Sequence, residues 1–271
     1  MPEECKVKSM NFMDKIIKKA EEYDIPVVAV ADAERLNLAA PPGFRPENYL
    51  PGARSVVLLA RQLPKSVFVS GNDPHYMFYT RAFADNYRRM NDAACAIATM
   101  LEGEGFPSLA VPAYSPLRFR GGEPCGIISF KHAAAEAGIG KLGKNTIFIH
   151  PEYGNILRLG GLITTAELPT GRPKEYKNIC PPSCDLCEKA CPVGALNGGK
   201  INITRCMTNC IGHTLLPPYP IQSSMRWMAG KISWINSFME YFTTSMFENY
   251  GIRCMECLLV CPHFPCRKQQ K

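Results

Sequence analysis

Residues 180–192, CPPSCDLCEKACP, place their cysteines as Cys180-x3-Cys184-x2-Cys187-x3-Cys191 and close with Pro192. A second run reads Cys254-x2-Cys257-x3-Cys261 and closes with Pro262, and Cys206 stands between the two. Segments this rich in cysteine and proline are poor in core-forming side chains and hold their shape by stapling onto metal. Two cysteine runs, each ending in Cys-Pro, have the spacing of a module that carries two [4Fe–4S] clusters. A tight loop brings its first three thiolates to one cubane, and the cysteine before proline points to the neighbouring cluster. The crossing predicts Cys180, Cys184, Cys187 and Cys261 on one cluster and Cys191, Cys206, Cys254 and Cys257 on the other. Structural zinc would also use four thiolates per site, but it has no need of the crossed Cys-Pro pairing. The first gap is three residues where two are usual, which makes Cys180 the odd member of its set.

The chain has 13 cysteines in 271 residues. Its first residues, MPEECKVKSMNFMDKIIKKAEEYDI, show neither an apolar signal core nor paired arginines. They read as an amphipathic helix capped by Ser9. The expectation is a cytoplasmic protein, a compartment in which clustered thiols hold metal and seldom form disulfides. The formal charge of +7 counts every cysteine as neutral. Eight thiolates on two clusters add about −4 in sum and leave roughly +3. No Lys/Arg run of the nucleic-acid type is present, so a nucleic-acid partner is not expected. No apolar run is long enough for a membrane span.

Upstream of the cysteines, IPVVAVADAERL (25–36) reads as a strand entering a helix and ARSVVLLARQL (53–63) as a second strand. Residues 75–106 carry apolar side chains at helical spacing, and PSLAVPAY (107–114) reads as a short strand. Residues 129–169 run helix, Gly-rich turn, strand, turn, strand. The expected fold class is α+β, a mixed α/β domain over residues 1–173 and a ferredoxin-like domain over 174–271. Within the latter, 211–253 reads as a helical insertion rich in methionine and aromatic residues.

The stretch KHAAAEAGIGKLGKNTIFIHPEYGNILRLGGLITTAELP, followed by the first cysteine run, resembles epoxyqueuosine reductase and, more distantly, the reductive dehalogenases. The resemblance spans about residues 50–265 and is specific over 131–169 and the cysteines. It implies a nitroreductase-related domain that binds base-off cobalamin, capped by the cluster domain, with the cluster of Cys191, Cys206, Cys254 and Cys257 nearer the corrinoid. Low-valent cobalt would reduce a substrate on the opposite face, and a protein acid would supply a proton. Phe148, Leu159 and Thr208 fall on corrinoid-contact positions of the family. Gly140, Gly143, Gly154 and Gly160 would let backbone approach the macrocycle, and Lys131 and His132 would touch a corrinoid side chain or the substrate.

Two departures bear on substrate. The family's catalytic Asp aligns with Pro124, flanked by Glu123 and Cys125, and the chain stops at Lys271 without the family's tRNA-gripping helical repeats. Glu123 and Tyr114 are the candidate proton donors. The expected function is an iron–sulfur oxidoreductase that passes electrons through two [4Fe–4S] clusters to a bound corrinoid to reduce a substrate other than tRNA. The alternative is an electron-transfer protein that reduces the corrinoid or cofactor of a partner. A third reading puts flavin in the corrinoid's place. The electrons would come from an external low-potential donor, a ferredoxin or flavodoxin-like protein, because no nicotinamide-binding βαβ motif is present.

Overall fold

The computed structural model describes residues 3–40, 43–68, 75–114, 118–120, 123–212, 219–238 and 251–265. Its centre is a four-stranded sheet of β1 (Val27–Asp32), β2 (Ser55–Gln62), β3 (Ser108–Val111) and β8 (Leu157–Thr164), in the order β1-β2-β8-β3. All neighbours are antiparallel, in registers that include Val30↔Val57, Leu59↔Gly160 and Ala110↔Leu162. Strand alternation divides the side chains of β2 between two cores. Val57 and Leu59 pack with Met90, Ile97 and Leu101 of α3 (His75–Gly103) and with Ile16 of α1 (Glu3–Glu22). Val56, Leu58 and Ala60 face the opposite way, onto Leu36 of α2 (Ala33–Ala39) and Phe130 of α4 (Phe130–Glu136). Sequestering each such Val or Leu contributes roughly 1.5–3 kcal/mol. The sheet is therefore covered on both faces, which is why β2 and β8 read as continuous apolar runs.

Local signals set the boundaries. Asp32 ends β1 and caps α2, its carboxylate accepting from Arg35 N–H at 2.9 Å. Ser9 does not act as a cap: α1 begins at Glu3, six residues upstream, so Ser9 lies inside the helix. Between α4 and β8 the chain makes a small hairpin of β6 (Lys141–Leu142) and β7 (Phe148–Ile149). A second hairpin joins β4 (Arg118–Arg120) to β5 (Glu123–Cys125).

The cysteine-rich half is built from short pieces. One-turn helices at Leu186–Lys189 and Glu256–Leu259 follow the first cysteines of the two runs and pack against each other. A longer helix, Ile203–Cys210, carries Cys206. The expected insertion is tied at its base, where Ile211–Gly212 pairs antiparallel with Gly251–Ile252. It contains helix Tyr219–Lys231 and further helix at 233–238. Residues 213–218 and 239–250 lie outside the described residues.

Candidate cofactor cavity and cysteine centre

The turn between β6 and β7 holds the two halves together. Lys144 donates its backbone N–H to Cys180 Sγ at 3.2 Å, and its Nζ donates to the carbonyls of Pro182 and Cys184 at 2.6 and 2.8 Å. Asn145 Nδ2 donates to Cys257 O at 3.0 Å, and the buried Asn155 Nδ2 donates to Leu258 O at 2.8 Å. Gly154 (φ +64°) lies so close to the C-terminal segment that a Cβ would stand 2.0 Å from His263 O. An α/β body and two cysteine loops are thus joined mostly through main-chain carbonyl acceptors, whose positions do not depend on side-chain rotamers.

The thiols fall into two neighbourhoods. Cys261 packs with Cys180, Ile149, Ile179 and Tyr176 in one small cluster, although 80 positions separate the two cysteines. Burial, then the nearby Cys180 thiol, pushes Cys187 up. In the other neighbourhood burial, then Cys206 and Cys254, push Cys257 up to about 12. A hydrogen bond between Cys206 and Cys210 lowers Cys206 to about 7 and raises Cys210, and Cys210 Sγ lies 3.3 Å from Cys254 O. Ala195 N–H reaches Cys191 Sγ at 3.2 Å. Among the described residues no three His, Cys, Asp or Glu side chains form a group suited to one metal ion. Soft sulfur donors from two loops and two backbone N–H···S contacts fit iron–sulfur clusters, whose sulfurs accept such hydrogen bonds.

Between the halves is a cavity of about 680 Å³. Its floor is Phe148, Leu157 and Leu159, its wall Tyr79, Phe83, Tyr87 and Tyr114, and its roof Cys206, Met207, Cys254 and Cys257. Lys131, Asn145 and Arg158 are its main polar groups. The volume and the mostly apolar lining are those of a small-molecule site. The apolar side chains of Phe148, Leu157 and Leu159, with the donors of Lys131 and Asn145 nearby, are compatible with the face and amide edge of a corrinoid ring. Of the predicted residues, Lys131, Phe148, Leu159, Tyr114, Cys206, Cys254 and Cys257 line it. Cys180, Cys184, Cys187 and Cys261 do not, so the second thiol neighbourhood is the one that faces the cavity.

Other expected contacts lie elsewhere. The four glycines are not among the cavity's lining residues, and each lies close to other protein atoms. A Cβ at Gly140 would stand 2.3 Å from Ile149 O, at Gly143 2.8 Å from Asn145 Oδ1, and at Gly160 3.0 Å from Ala113 Cβ. Together with Gly154, they serve close packing inside the fold. His132 is turned to Ser129, with Nδ1 2.6 Å from Oγ, and burial followed by the Lys131 charge lowers its pKa. Thr208 donates to Thr204 O at 2.8 Å within its own helix. Glu123 sits in register with Arg120, and its side chain lies outside the described residues.

Sequence reasoning missed Arg158, Tyr79 and Cys210. Arg158 is 8% exposed. It donates to Tyr79 Oη at 2.9 Å and stands 5.9 Å from the Phe83 ring centroid. Its signal was a lone charge inside the apolar strand ILRLGGLIT. Tyr79 and Phe83 carry a signal only once helix α3 is laid against the sheet.

Fold and site together define an α+β protein in which an apolar chamber is lined on one side by cysteines. No family model matches the chain. It is 43% identical over 84 residues to an epoxyqueuosine reductase of Listeria monocytogenes, covering 31% of this chain and 21% of the relative. It is 29% identical over 168 residues to that of Bacillus cereus, covering 60% and 41%. The matched region is thus less than half the length of these relatives. Among solved structures, the epoxyqueuosine reductase of Bacillus subtilis superposes with a TM-score of 0.61 at 21% identity over 95% of this chain and 66% of that one. A catabolic reductive dehalogenase, solved with 3-bromo-4-hydroxybenzoic acid, superposes at 0.57 with 12% identity over 85% and 36%. Another epoxyqueuosine reductase, at 0.50 and 20% identity, was solved with a tRNA stem loop. The resemblance to epoxyqueuosine reductase and the reductive dehalogenases is borne out. In sequence the chain is similar to the epoxyqueuosine reductases, and it shares its fold with them and with the reductive dehalogenases.

Proposed function

We propose that the chain is an iron–sulfur oxidoreductase that delivers electrons through two [4Fe–4S] clusters to a corrinoid held in the interdomain cavity, for reduction of a substrate other than tRNA. The observation that carries this reading is the roof of the cavity, where Cys206, Cys254 and Cys257 share one chamber with Phe148 and Leu159. When bound, a corrinoid supplies low-valent cobalt as the reductant. Cys180, Cys184, Cys187 and Cys261 would hold the outer cluster, and Cys191, Cys206, Cys254 and Cys257 the inner one. An external low-potential ferredoxin or flavodoxin-like protein would feed the outer cluster.

The chain's own groups supply orientation and a proton. Phe148 and Leu159 give a flat apolar floor, and Asn145 and Lys131 give donors at its edge. Arg158 donates to the Tyr79 oxygen, so the Tyr79 proton is left to point along another direction. Tyr79 thereby becomes the preferred proton donor, ahead of Tyr114 and Glu123. Tyr114 stacks on Tyr87 with ring centroids 5.4 Å apart. It shapes the wall in this reading.

Equilibrium dialysis of the anaerobically reconstituted protein against cobalamin tests the reading. Near-stoichiometric uptake, lost when Leu159→Trp fills the floor, is expected. No uptake by a protein with both clusters intact would leave the electron-transfer alternative, and uptake of flavin in place of cobalamin would leave the flavin one.

A further inference from the structure

Lys144 directs three hydrogen bonds at one loop. Its backbone N–H donates to Cys180 Sγ at 3.2 Å, and its Nζ donates to Pro182 O at 2.6 Å and to Cys184 O at 2.8 Å. Cys180 and Cys184 are candidate ligands of the outer cluster, so the ammonium lies against the main chain of a ligand residue. Its charge is felt at the following residue. The hydrogen bond from Lys189 lowers the Asp185 carboxyl, and the Lys144 charge adds to that effect. Lys144 is half-buried, so water and salt screen it only in part. Cys180 shows that the loop is held tightly here. It has a φ of +50°, in the left-handed region that a residue with a Cβ keeps only where its surroundings impose it. Lys144 meets its sulfur, and Ile149, Ile179 and Cys261 pack with it.

The next residue of the same turn differs in charge. Asn145 Nδ2 donates to Cys257 O at 3.0 Å, in the loop of the inner cluster. The turn between β6 and β7 thus reaches both cysteine loops, with a cation on the outer one and a neutral amide on the inner one. A reduced cluster carries one more negative charge than an oxidised one. Positive charge nearby and hydrogen bonds to its sulfurs favour that form.

We propose that Lys144 sets the reduction potential of the outer cluster, holding it higher than the thiolates alone would and easing electron entry from a ferredoxin or flavodoxin-like donor. This rests on the iron–sulfur reading of the site. In the step concerned, one electron leaves the donor's reduced centre and enters the oxidised outer cluster. No bond breaks and no proton moves. Lys144 acts through the loop of Cys180 and Cys184 and is a positioning residue.

The experiment is a reductive titration of the anaerobically reconstituted full chain, followed by electron paramagnetic resonance, after iron and sulfide have been counted. The outer step is the one that survives in Cys254→Ser. Lys144→Gln removes the charge and keeps the backbone N–H. It is expected to move the outer step to lower potential and leave the inner step in place. The ratio of reduced to oxidised outer cluster at a fixed potential should fall at least about tenfold, about 59 mV for one electron. Lys144→Arg is expected to keep most of the parent potential. An unmoved outer step in a Lys144→Gln protein with both clusters overturns the proposal and leaves Lys144 a structural tie. Equal shifts of both steps overturn it as well. If Lys144→Gln holds no outer cluster, Lys144→Met is read in its place, and loss in both overturns the proposal, because Lys144 then serves assembly. A parent that takes up no iron and sulfide overturns the iron–sulfur reading itself. That outcome is told apart by the absence of clusters, where failure of this proposal alone leaves both clusters present.

Discussion

Tyr79 is 4% exposed, and its oxygen already accepts a hydrogen bond from Arg158. If it gives the proton, Tyr79→Phe removes one O–H and almost no volume. Turnover should fall by about 10²–10⁴-fold while cobalamin uptake stays as it was, and a steady-state assay paired with dialysis reads both. An equal loss in Tyr114→Phe with Tyr79→Phe unaffected would reassign the donor. Tyr87 makes a pH prediction. Burial lifts its phenol to about 12 from the ordinary 10.0. Above pH 10 the unfolded chain releases this proton while the folded chain keeps it. The contribution is therefore complete below about pH 10 and is lost as pH rises towards 12. Urea midpoints between about pH 8 and pH 11 should decline, and Tyr87→Phe should flatten that decline by an amount on the order of 1 kcal/mol. A variant that tracks the parent would show that Tyr87 ionises as freely in the folded chain.

At the scale of elements, the glycines separate what pattern can reveal from what it cannot. Apolar runs marked β2 and β8, and helical spacing marked α3, because two-sided burial leaves a direct trace in residue type. The glycine spacing was equally visible, but spacing alone names no neighbour. The structure gives Gly160 to the packing of α3 on the sheet and Gly154 to the docking of the C-terminal segment. A residue chosen for having no side chain does not say what fills the space. Gly154→Ala places a Cβ 2.0 Å from His263 O at a left-handed φ of +64°. It should cost about 2–4 kcal/mol, largely as loosened attachment of the Cys254–Cys261 segment. Lower iron and sulfide per protein after reconstitution, with the helix and sheet signal of the α/β body retained, is the expected result. Full cluster content would mean that the segment is held by Asn145 and Asn155 without this close approach.

On the scale of the whole molecule, the candidate cluster cysteines were legible because metal chemistry restricts the spacing of ligands along a chain. The cavity was legible only through resemblance, because it is made where distant segments meet: α3 at Tyr79 and Phe83, β8 at Arg158, the helix carrying Cys206, and the loop at Cys254. Cys210 shows the limit. Four residues beyond Cys206, it drew no assignment from spacing, and it shares a hydrogen bond with Cys206 on the cavity wall. No described helix is long and apolar enough to cross a membrane. The central claim is that one chamber serves a cofactor from the α/β side and electrons from the cysteine side. Electron paramagnetic resonance of the anaerobic, cobalamin-loaded protein during a reductive titration tests it most directly. The account predicts a base-off Co(II) signal that broadens as the inner cluster becomes paramagnetic, and that stays sharp in Cys254→Ser, which disrupts that cluster. A Co(II) signal indifferent to cluster reduction, or none at all beside two intact clusters, would contradict it.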